Sequence, residues 1–172
     1  MPYDPARHHR RSIRLRGYDY AQAGAYFITL VTQDRARLFG RVTGGAMALS
    51  EAGRIAEQEW LRTPLVRPNL DLDAFVVMPD HMHMILVIER RAERAGQPQH
   101  GAFRSPSETV GAIVRGFKGA VVRQIRALQA APELKVWQRD YYERIIRDEA
   151  ALHNIRRYIG QNPARWQEKH GE

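Results

Sequence analysis

Two histidines separated by a single residue are the strongest chemical signal in the sequence. His81-Met82-His83 opens an apolar stretch that runs to Ile88, and strand residues two apart point to the same face about 6.5 to 7 Å from each other. Both imidazoles can therefore converge on one ion, while Met82 and the alternate residues after it hold the strand in the core. A metal site requires rigid presentation of this kind.

The same pair has a structural interpretation, in which the rings fill a sheet edge and hydrogen-bond to backbone. Two histidines at strand spacing, beside the Pro79-Asp80 turn of a basic chain, favour a metal instead. The sequence contains no cysteine and no third histidine lies near the pair, so a closed structural zinc site does not fit. The pattern predicts an open, oxygen-rich Mg²⁺ or Mn²⁺ site that serves phosphate.

Strands must position these histidines. Residues 72–78 and 81–88 are predicted as a neighbouring strand pair, because Pro79-Asp80 between them is turn chemistry. Residues 25–32 are rich in aromatic and β-branched side chains and predict an earlier strand. A further strand region is predicted over residues 136–147.

Three helices are predicted around these strands. The first begins after a turn at Gly44 and Gly45, is capped by Ser50 and ends before Pro64. The second opens at residues 105–108, which supply a cap serine, a proline at the first helical position and a glutamate at the third. Asp148 caps the third, whose core stripe is Leu152, Ile155 and Ile159. The order of elements predicts an α+β fold with helices packed on an antiparallel sheet.

The charge balance indicates a polyanionic partner. Lys and Arg number 27 against 19 Asp and Glu, which gives +8 and a pI near 10.3. Basic domains most often bind nucleic acid, and the planar guanidinium of arginine suits phosphate contacts. A genome that encodes arginine for lysine would produce the same composition, so charge alone does not decide the function.

The length of 172 residues predicts one domain. We expect a basic N-terminal arm over residues 1–20, a single catalytic domain over residues 21–172, and a flexible loop at residues 90–104. No stretch is long and apolar enough to span a membrane, and the N-terminus lacks the apolar core of a signal peptide. The expectation is a soluble cytoplasmic protein.

The chain resembles a known family from about Ala25 to Pro163, with specific motifs in three places. Val77-Met78-Pro79-Asp80-His81-Met82-His83 resembles the histidine-hydrophobe-histidine (HUH) box of the IS200-like transposases. Four later segments resemble the C-terminal signature of the REP-associated tyrosine transposase branch: Trp137-Gln138, Tyr142-Glu143-Arg144-Ile145-Ile146-Arg147, Tyr158-Ile159 and Asn162-Pro163. Their order and spacing together make the resemblance specific.

The resemblance implies the HUH endonuclease fold, which has a ferredoxin-like antiparallel sheet with helices packed on it. It also implies that His81 and His83 bind the metal, that Tyr158 is the nucleophile, and that Asn162 is the third ligand. Tyr158 and Asn162 share a helix face because they are four residues apart. Pro163 disfavours helical geometry at the residue before it, so Asn162 is expected on a frayed turn.

The implied activity is metal-dependent cleavage and strand transfer of single-stranded DNA near hairpins, through a 5′-phosphotyrosine. The implied partners are REP-like hairpins in a bacterial cytoplasm, where the protein works on the nucleoid. The resemblance leaves open whether the protein is a monomer or a homodimer. DNA contacts are predicted for Arg10, Arg11 and Arg14 of the arm and for Arg115 and Arg123 of the second helix.

Other nucleophiles and functions compete with this interpretation. Tyr141 and Tyr142 are rival nucleophiles, although strand alternation places only one of them in the core.

Other classes of protein are alternatives to a transposase. A replication-initiator nickase typically has a lysine three residues after the tyrosine, where this chain has Gln161, and a relaxase places its tyrosine before the histidines. A two-histidine phosphoesterase needs histidine-x-threonine or serine motifs that the sequence lacks. A catalytically inactive, transposase-derived DNA-binding protein would have no need to keep the histidines and Tyr158.

Overall fold

A computed structural model describes residues 23–89 and 109–171. The predicted arm, with Arg10, Arg11 and Arg14, and the predicted loop at residues 90–104 lie outside the described residues. The described elements are, in chain order, β1 (Gly24–Val31), a 3-10 turn (Gln33–Arg35), β2 (Gly40–Thr43), β3 (Ala46–Leu49), α1 (Glu51–Leu61), a short α2 (Thr63–Val66), β4 (Leu70–Val77), β5 (His81–Ile88), α3 (Val110–Leu128), β6 (Tyr142–Ile146) and α4 (Glu149–His170).

The main sheet has four strands in the order β4-β5-β1-β6, and every neighbouring pair is antiparallel. With α1 between β1 and β4, and α3 between β5 and β6, this is the β-α-β-β-α-β arrangement of ferredoxin-like folds. The predicted fold class is confirmed. The predicted pairing of the strands on either side of Pro79-Asp80 is also confirmed, since β4 and β5 lie side by side.

The sheet separates two hydrophobic cores because its side chains alternate between faces. On β5, Met82 and Met84 belong to the larger core, which α1 and α3 cover. Ile85 points the other way, into a smaller core that it shares with Ile155 and Ile159 of α4. The two predicted histidines lie on this second face, and α4 covers them.

A two-stranded hairpin, β2–β3, is an element that the sequence analysis did not predict beyond its turn. Gly44 and Gly45 have φ of 60° and 73°, a left-handed conformation that glycine adopts without strain and that hairpin turns require. The backbone N–H of Gly45 donates a hydrogen bond to Oε1 of Gln167 on α4. The hairpin thus contacts the C-terminal half of the helix that covers the histidines.

The helix starts are set by side-chain caps, two of which were predicted. Oγ of Ser50 accepts from the N–H of Gly53 (3.1 Å), and Oδ1 of Asp148 accepts from Ala151 (2.7 Å). The predicted helix start at residues 105–108 lies outside the described residues, and the described helix begins at Val110. Thr109 is its extended N-cap residue.

The expectation that Pro163 would fray the helix at Asn162 is wrong. α4 continues through Pro163 to His170 and ends at Gly171, whose φ is 68°. A proline in a helix removes one backbone donor and crowds the preceding turn. Here packing offsets that cost, since Ile159 and Asn162 are buried before the proline and Trp166 stacks on His170 after it, with ring centroids 4.1 Å apart.

The strand predicted over residues 136–147 is shorter than expected. Only Tyr142–Ile146 forms a strand, while Trp137 makes an isolated bridge to Thr32 at the end of β1.

No helix among the described residues is long and apolar enough to cross a membrane.

Candidate active site

The strand β5 presents His81 and His83 side by side under α4. Their ring centroids are 4.6 Å apart in a T-shaped arrangement, and the residues are 9% and 7% exposed. The neighbouring Met82 points into the opposite core. The sequence prediction that strand alternation brings both rings to one face is confirmed.

Each histidine is held through Nδ1. His81 donates from Nδ1 to Oδ1 of Asp80 (2.5 Å), since an ionised carboxylate can only accept. Nδ1 of His83 hydrogen-bonds Oγ1 of Thr29 (2.8 Å), the residue directly opposite it on β1. Fixing one ring nitrogen in this way orients the ring and its Nε2, as outer partners of metal-binding histidines do.

The protonation states of His83 and Asp80 suit metal binding. Burial and the neighbouring His81 lower the pKa of His83 to about 3, against a smaller raising effect of Asp80. His83 is therefore neutral at pH 7, the form that binds metals. Burial raises the pKa of Asp80, but the hydrogen bond and charge of His81 and the charge of Arg35 outweigh it, so Asp80 is ionised.

One face of α4 lies over the two histidines. The hydroxyl of Tyr158 is 3.2 Å from Nε2 of His83, and the Trp166 ring lies 5.8 Å from the His81 ring. Asn162 occupies the helix turn between Tyr158 and Trp166, since residues i, i+4 and i+8 share a face. It is 8% exposed, and none of the described residues hydrogen-bonds its side chain.

These side chains fit a small divalent cation. No group of three or more His, Cys, Asp or Glu among the described residues could hold a metal, so a ligand set of that kind is not present there. His81 and His83 offer oriented nitrogens, and a buried amide without a partner lies on the helix turn above them. Two imidazoles and one amide oxygen leave coordination positions for water or phosphate, as an open catalytic site requires.

Tyr158 is accessible to a substrate, and its ring lies among aromatic and cationic groups. The residue is 37% exposed. Its ring packs edge-on to Phe27, with centroids 6.2 Å apart, and the guanidinium of Arg165 lies 5.8 Å from its centroid. The structure thus combines a reachable phenol, a nearby positive charge and the histidine pair.

The rival tyrosines lie on opposite faces of the sheet, as alternation predicted. Tyr141 packs against the larger core and donates a hydrogen bond to Oε2 of Glu143 (3.1 Å). Tyr142 is 40% exposed, and its ring centroid lies 6.3 Å from that of Phe27, the same ring that Tyr158 contacts. Tyr142 is therefore a neighbour of the site, a position that the sequence analysis did not anticipate.

The predicted DNA-contacting arginines do not form one group with the histidines. Arg115 and Arg123 lie on α3, which covers the other face of the sheet. Both are exposed.

Three side chains at the site were missed by the sequence analysis. Thr29 contacts His83 through a strand pairing between residues 54 apart in sequence, and no local pattern reveals that register. Asp80 was interpreted only as a turn residue, although its position beside His81 was a usable signal. Trp166 follows Tyr158 at helical spacing, and it was missed because the helix was expected to fray at Pro163.

Comparison with a solved structure defines the class of fold. The protein resembles the structure of a REP-associated tyrosine transposase bound to a REP hairpin, with a TM-score of 0.57 and 21% identity over 89% of this chain and 73% of that chain. At that identity the match establishes the fold alone. No protein-family model matches the chain.

Sequence relatives identify the family. A Haemophilus influenzae protein described only as uncharacterized is 40% identical over 172 residues, which are 96% of this chain and 94% of the relative. A second Haemophilus influenzae protein, named "Putative REP-associated tyrosine transposase", is 26% identical over 157 residues, 89% of this chain and 75% of the relative. With the motifs and the shared fold, these relatives show that the chain belongs to the family of the REP-associated tyrosine transposases.

Proposed function

We propose that the chain is a metal-dependent endonuclease and strand transferase for single-stranded DNA, with Tyr158 as its nucleophile. One observation carries the proposal: an accessible phenol lies 3.2 Å from Nε2 of a buried, neutral histidine whose partner histidine shares the same face. A tyrosine that only packed against its neighbours would not need an accessible hydroxyl beside the histidine pair.

A Mg²⁺ or Mn²⁺ ion would be held by Nε2 of His81, Nε2 of His83 and the amide oxygen of Asn162, and its chemistry is to polarise the scissile phosphate. Tyr158 attacks the phosphorus in line. A bond forms between its oxygen and phosphorus while the bond from phosphorus to O3′ breaks. The phenolic proton is lost, the 3′ oxygen takes up a proton, and the 5′ side of the DNA stays on the tyrosine. Strand transfer is the reverse attack by another 3′-hydroxyl.

Positive charge at the site supports a phosphate substrate. Arg165 lies over the ring of Tyr158, and Arg37 lies over the ring of Trp166 at 5.6 Å. Both guanidinium groups are on the face that carries the histidines, in a chain of net charge +8. Since the similar solved structure holds a REP hairpin, unpaired DNA beside a palindromic hairpin is the substrate we propose.

The covalent intermediate is the experimental test. Hairpin-bearing single strands from the flanks of the gene, incubated with Mg²⁺ or Mn²⁺, should form a denaturation-resistant adduct with the wild type. Tyr158→Phe removes only the hydroxyl and keeps the ring on Phe27, so cleavage and adduct should disappear together while folding survives. Tyr142→Phe is the matched control, because this exposed phenol lies on the same face.

Each other outcome contradicts a stated part of the proposal. An active Tyr158→Phe variant, or peptide mapping that places DNA on Tyr141 or Tyr142, would refute the nucleophile. Cleavage without an adduct would indicate a hydrolase that activates water. Tight DNA binding by the wild type with no cleavage under any divalent cation would support the inactive DNA-binding alternative.

A further inference from the structure

A second basic site lies on the face of the sheet opposite Tyr158. A groove of about 640 Å³ runs between α3 and the segment that leads into β6. Five cations contribute to its lining, and none of the described residues that line it is acidic. These cations are Arg115, Lys118, Arg126, Lys135 and Arg139.

Two of these cations build the groove. Nζ of Lys118 donates to the carbonyls of Gln138 (2.7 Å) and Arg139 (3.3 Å), and Nε of Arg126 donates to the carbonyl of Leu134 (3.0 Å). These bonds hold residues 134–139, which form the wall of the groove opposite α3, to that helix. The groove is thus a defined feature of the fold.

The other three cations are available to a ligand. The side chains of Arg115, Lys135 and Arg139 are exposed and form no ion pair or hydrogen bond with the described residues. The nearby Asp140 acts on Lys118, raising its pKa against the larger lowering effect of burial. Five lining cations outnumber this one carboxylate, so the local charge is positive, as a backbone-binding surface for nucleic acid requires.

The shape and floor of the groove favour an unpaired strand. Apolar groups lie beside the cations in the lining: Val114, Val122, Leu134, Trp137 and Tyr141. Val114 and Trp137 are buried, so the partly exposed Tyr141 is the aromatic side chain that can contact a base face. Cationic grooves with aromatic side chains are the usual sites for single-stranded nucleic acid. A volume in the range of small-ligand pockets accommodates a short stretch of single strand.

The lining of the groove reaches the edge of the sheet, because it includes Tyr141, the residue before the edge strand β6. Tyr141 lines the groove, whereas Tyr142 lies on the opposite face, in the same register row as Thr29 and His83. β6 is an edge strand, so only two interstrand spacings, about 10 Å, separate Tyr142 from His83. A single strand that leaves the groove can reach Tyr158 by passing this edge.

We propose that this groove binds unpaired DNA that flanks the cleavage site, and so positions the strand that wraps around β6 to Tyr158. The inference rests on the proposed DNA activity, but its binding test needs no cleavage.

Gly119 offers a test that changes the space in the groove. It lines the groove, and a Cβ added there would meet nothing within 4 Å. Gly119→Phe should fill the groove without disturbing the core, and Gly119→Ala is the matched control. Arg115→Glu combined with Arg139→Glu tests the charge. Its control is Arg54→Glu combined with Arg62→Glu, an equal charge change at two exposed arginines of α1 and its C-terminal end, outside the lining.

Binding is measured by fluorescence anisotropy with a labelled unpaired oligonucleotide of about ten nucleotides, within the usual range of single-strand sites, in a Tyr158→Phe background. Gly119→Phe and the double reversal should weaken binding at least tenfold, while both controls stay within about twofold. Replacing Arg115 by alanine should make the plot of log binding constant against log salt concentration less steep by about 0.7, the value for one phosphate contact on a single strand. Thermal melting of each variant confirms folding.

The opposing results are distinct. If the wild type binds and cleaves DNA but the groove variants bind equally well, the groove inference is wrong and the proposed function stands. Equal competition by an acidic peptide of matched charge would mean a nonspecific basic patch and would overturn the inference. If the wild type binds no DNA at all, both proposals fail.

Discussion

Removing the hydroxyl of Tyr158 should strengthen metal binding while it abolishes cleavage. Nε2 of His83 is the nitrogen we propose for the metal, and in the structure it faces the hydroxyl of Tyr158 at 3.2 Å. Because Nδ1 already contacts Thr29, His83 has no second free nitrogen. A metal must therefore displace the phenol from Nε2.

The size of the effect follows from the hydrogen bond that is displaced. The bond joins neutral groups, lies at the long end of the usual range, and involves a tyrosine that is 37% exposed. A contribution of about 0.5 to 1 kcal/mol, in the lower part of the range for such bonds, is expected. Tyr158→Phe should thus bind Mn²⁺ about two- to fivefold more tightly, at tenfold per 1.4 kcal/mol.

Isothermal titration calorimetry with Mn²⁺, in the absence of DNA, measures this directly. Tyr142→Phe is the control, since that hydroxyl contacts neither histidine and its loss should leave the affinity unchanged. Weaker Mn²⁺ binding by Tyr158→Phe would mean that the phenol oxygen itself binds the metal. Unchanged affinity would mean that the hydrogen bond does not compete, and either result would refute the reasoning.

Three further predictions concern the same helix and its supports. His81→Ala and His83→Ala should each stop cleavage but retain DNA binding, as should chelation of the metal, and a variant that nicks a hairpin substrate at the wild-type rate would refute the metal assignment. Pro163→Ala should raise the free energy of unfolding by about 1 to 3 kcal/mol, measured in urea, because an interior proline is costly in a helix; a destabilised variant would show that the ring packs better than it disrupts. The hydrogen bond from Arg156 holds the pKa of Asp73 below its ordinary 3.8, so this pair stabilises the fold above about pH 4 and the stabilisation is lost as the pH falls through the lowered pKa. Asp73→Asn should melt earlier than the wild type at pH 7, and the difference should shrink as the pH falls below about 4; a difference that does not shrink in acid would contradict this.

Local patterns predicted the parts of the site that lie on a single element. The two-residue period of β5 was sufficient to place His81 and His83 on one face, and the cap at Asp148 with its apolar stripe was sufficient to predict α4. The family resemblance then indicated Tyr158 and Asn162. These predictions needed no knowledge of which strands pair.

The remainder depends on long-range packing. The contact of Thr29 with His83 requires the β1–β5 register, which the sequence does not encode locally. The β2–β3 hairpin consists of two four-residue strands, too short for a clear alternation. Pro163 was interpreted by its local preference, and packing after the proline overrides that preference.

The geometry of the site depends on a match between the residue spacing along β5 and the residue spacing along α4, which pack on each other across the smaller core. Along β5, His81 and His83 are about 6.6 Å apart, and along α4, Tyr158, Asn162 and Trp166 rise about 6 Å per step. The steps nearly match, so Tyr158 lies over His83 and Trp166 over His81, with Asn162 between them. A one-residue slip of β5 would bring Met82 under the helix, and a one-residue shift of α4 would turn Asn162 by about 100° away from the sheet. Ile85 and Ile159 fix both the register and the helix phase because each is buried in that core. The isoleucines that stabilise the fold on this face are therefore also what aligns the proposed nucleophile with the proposed metal ligands.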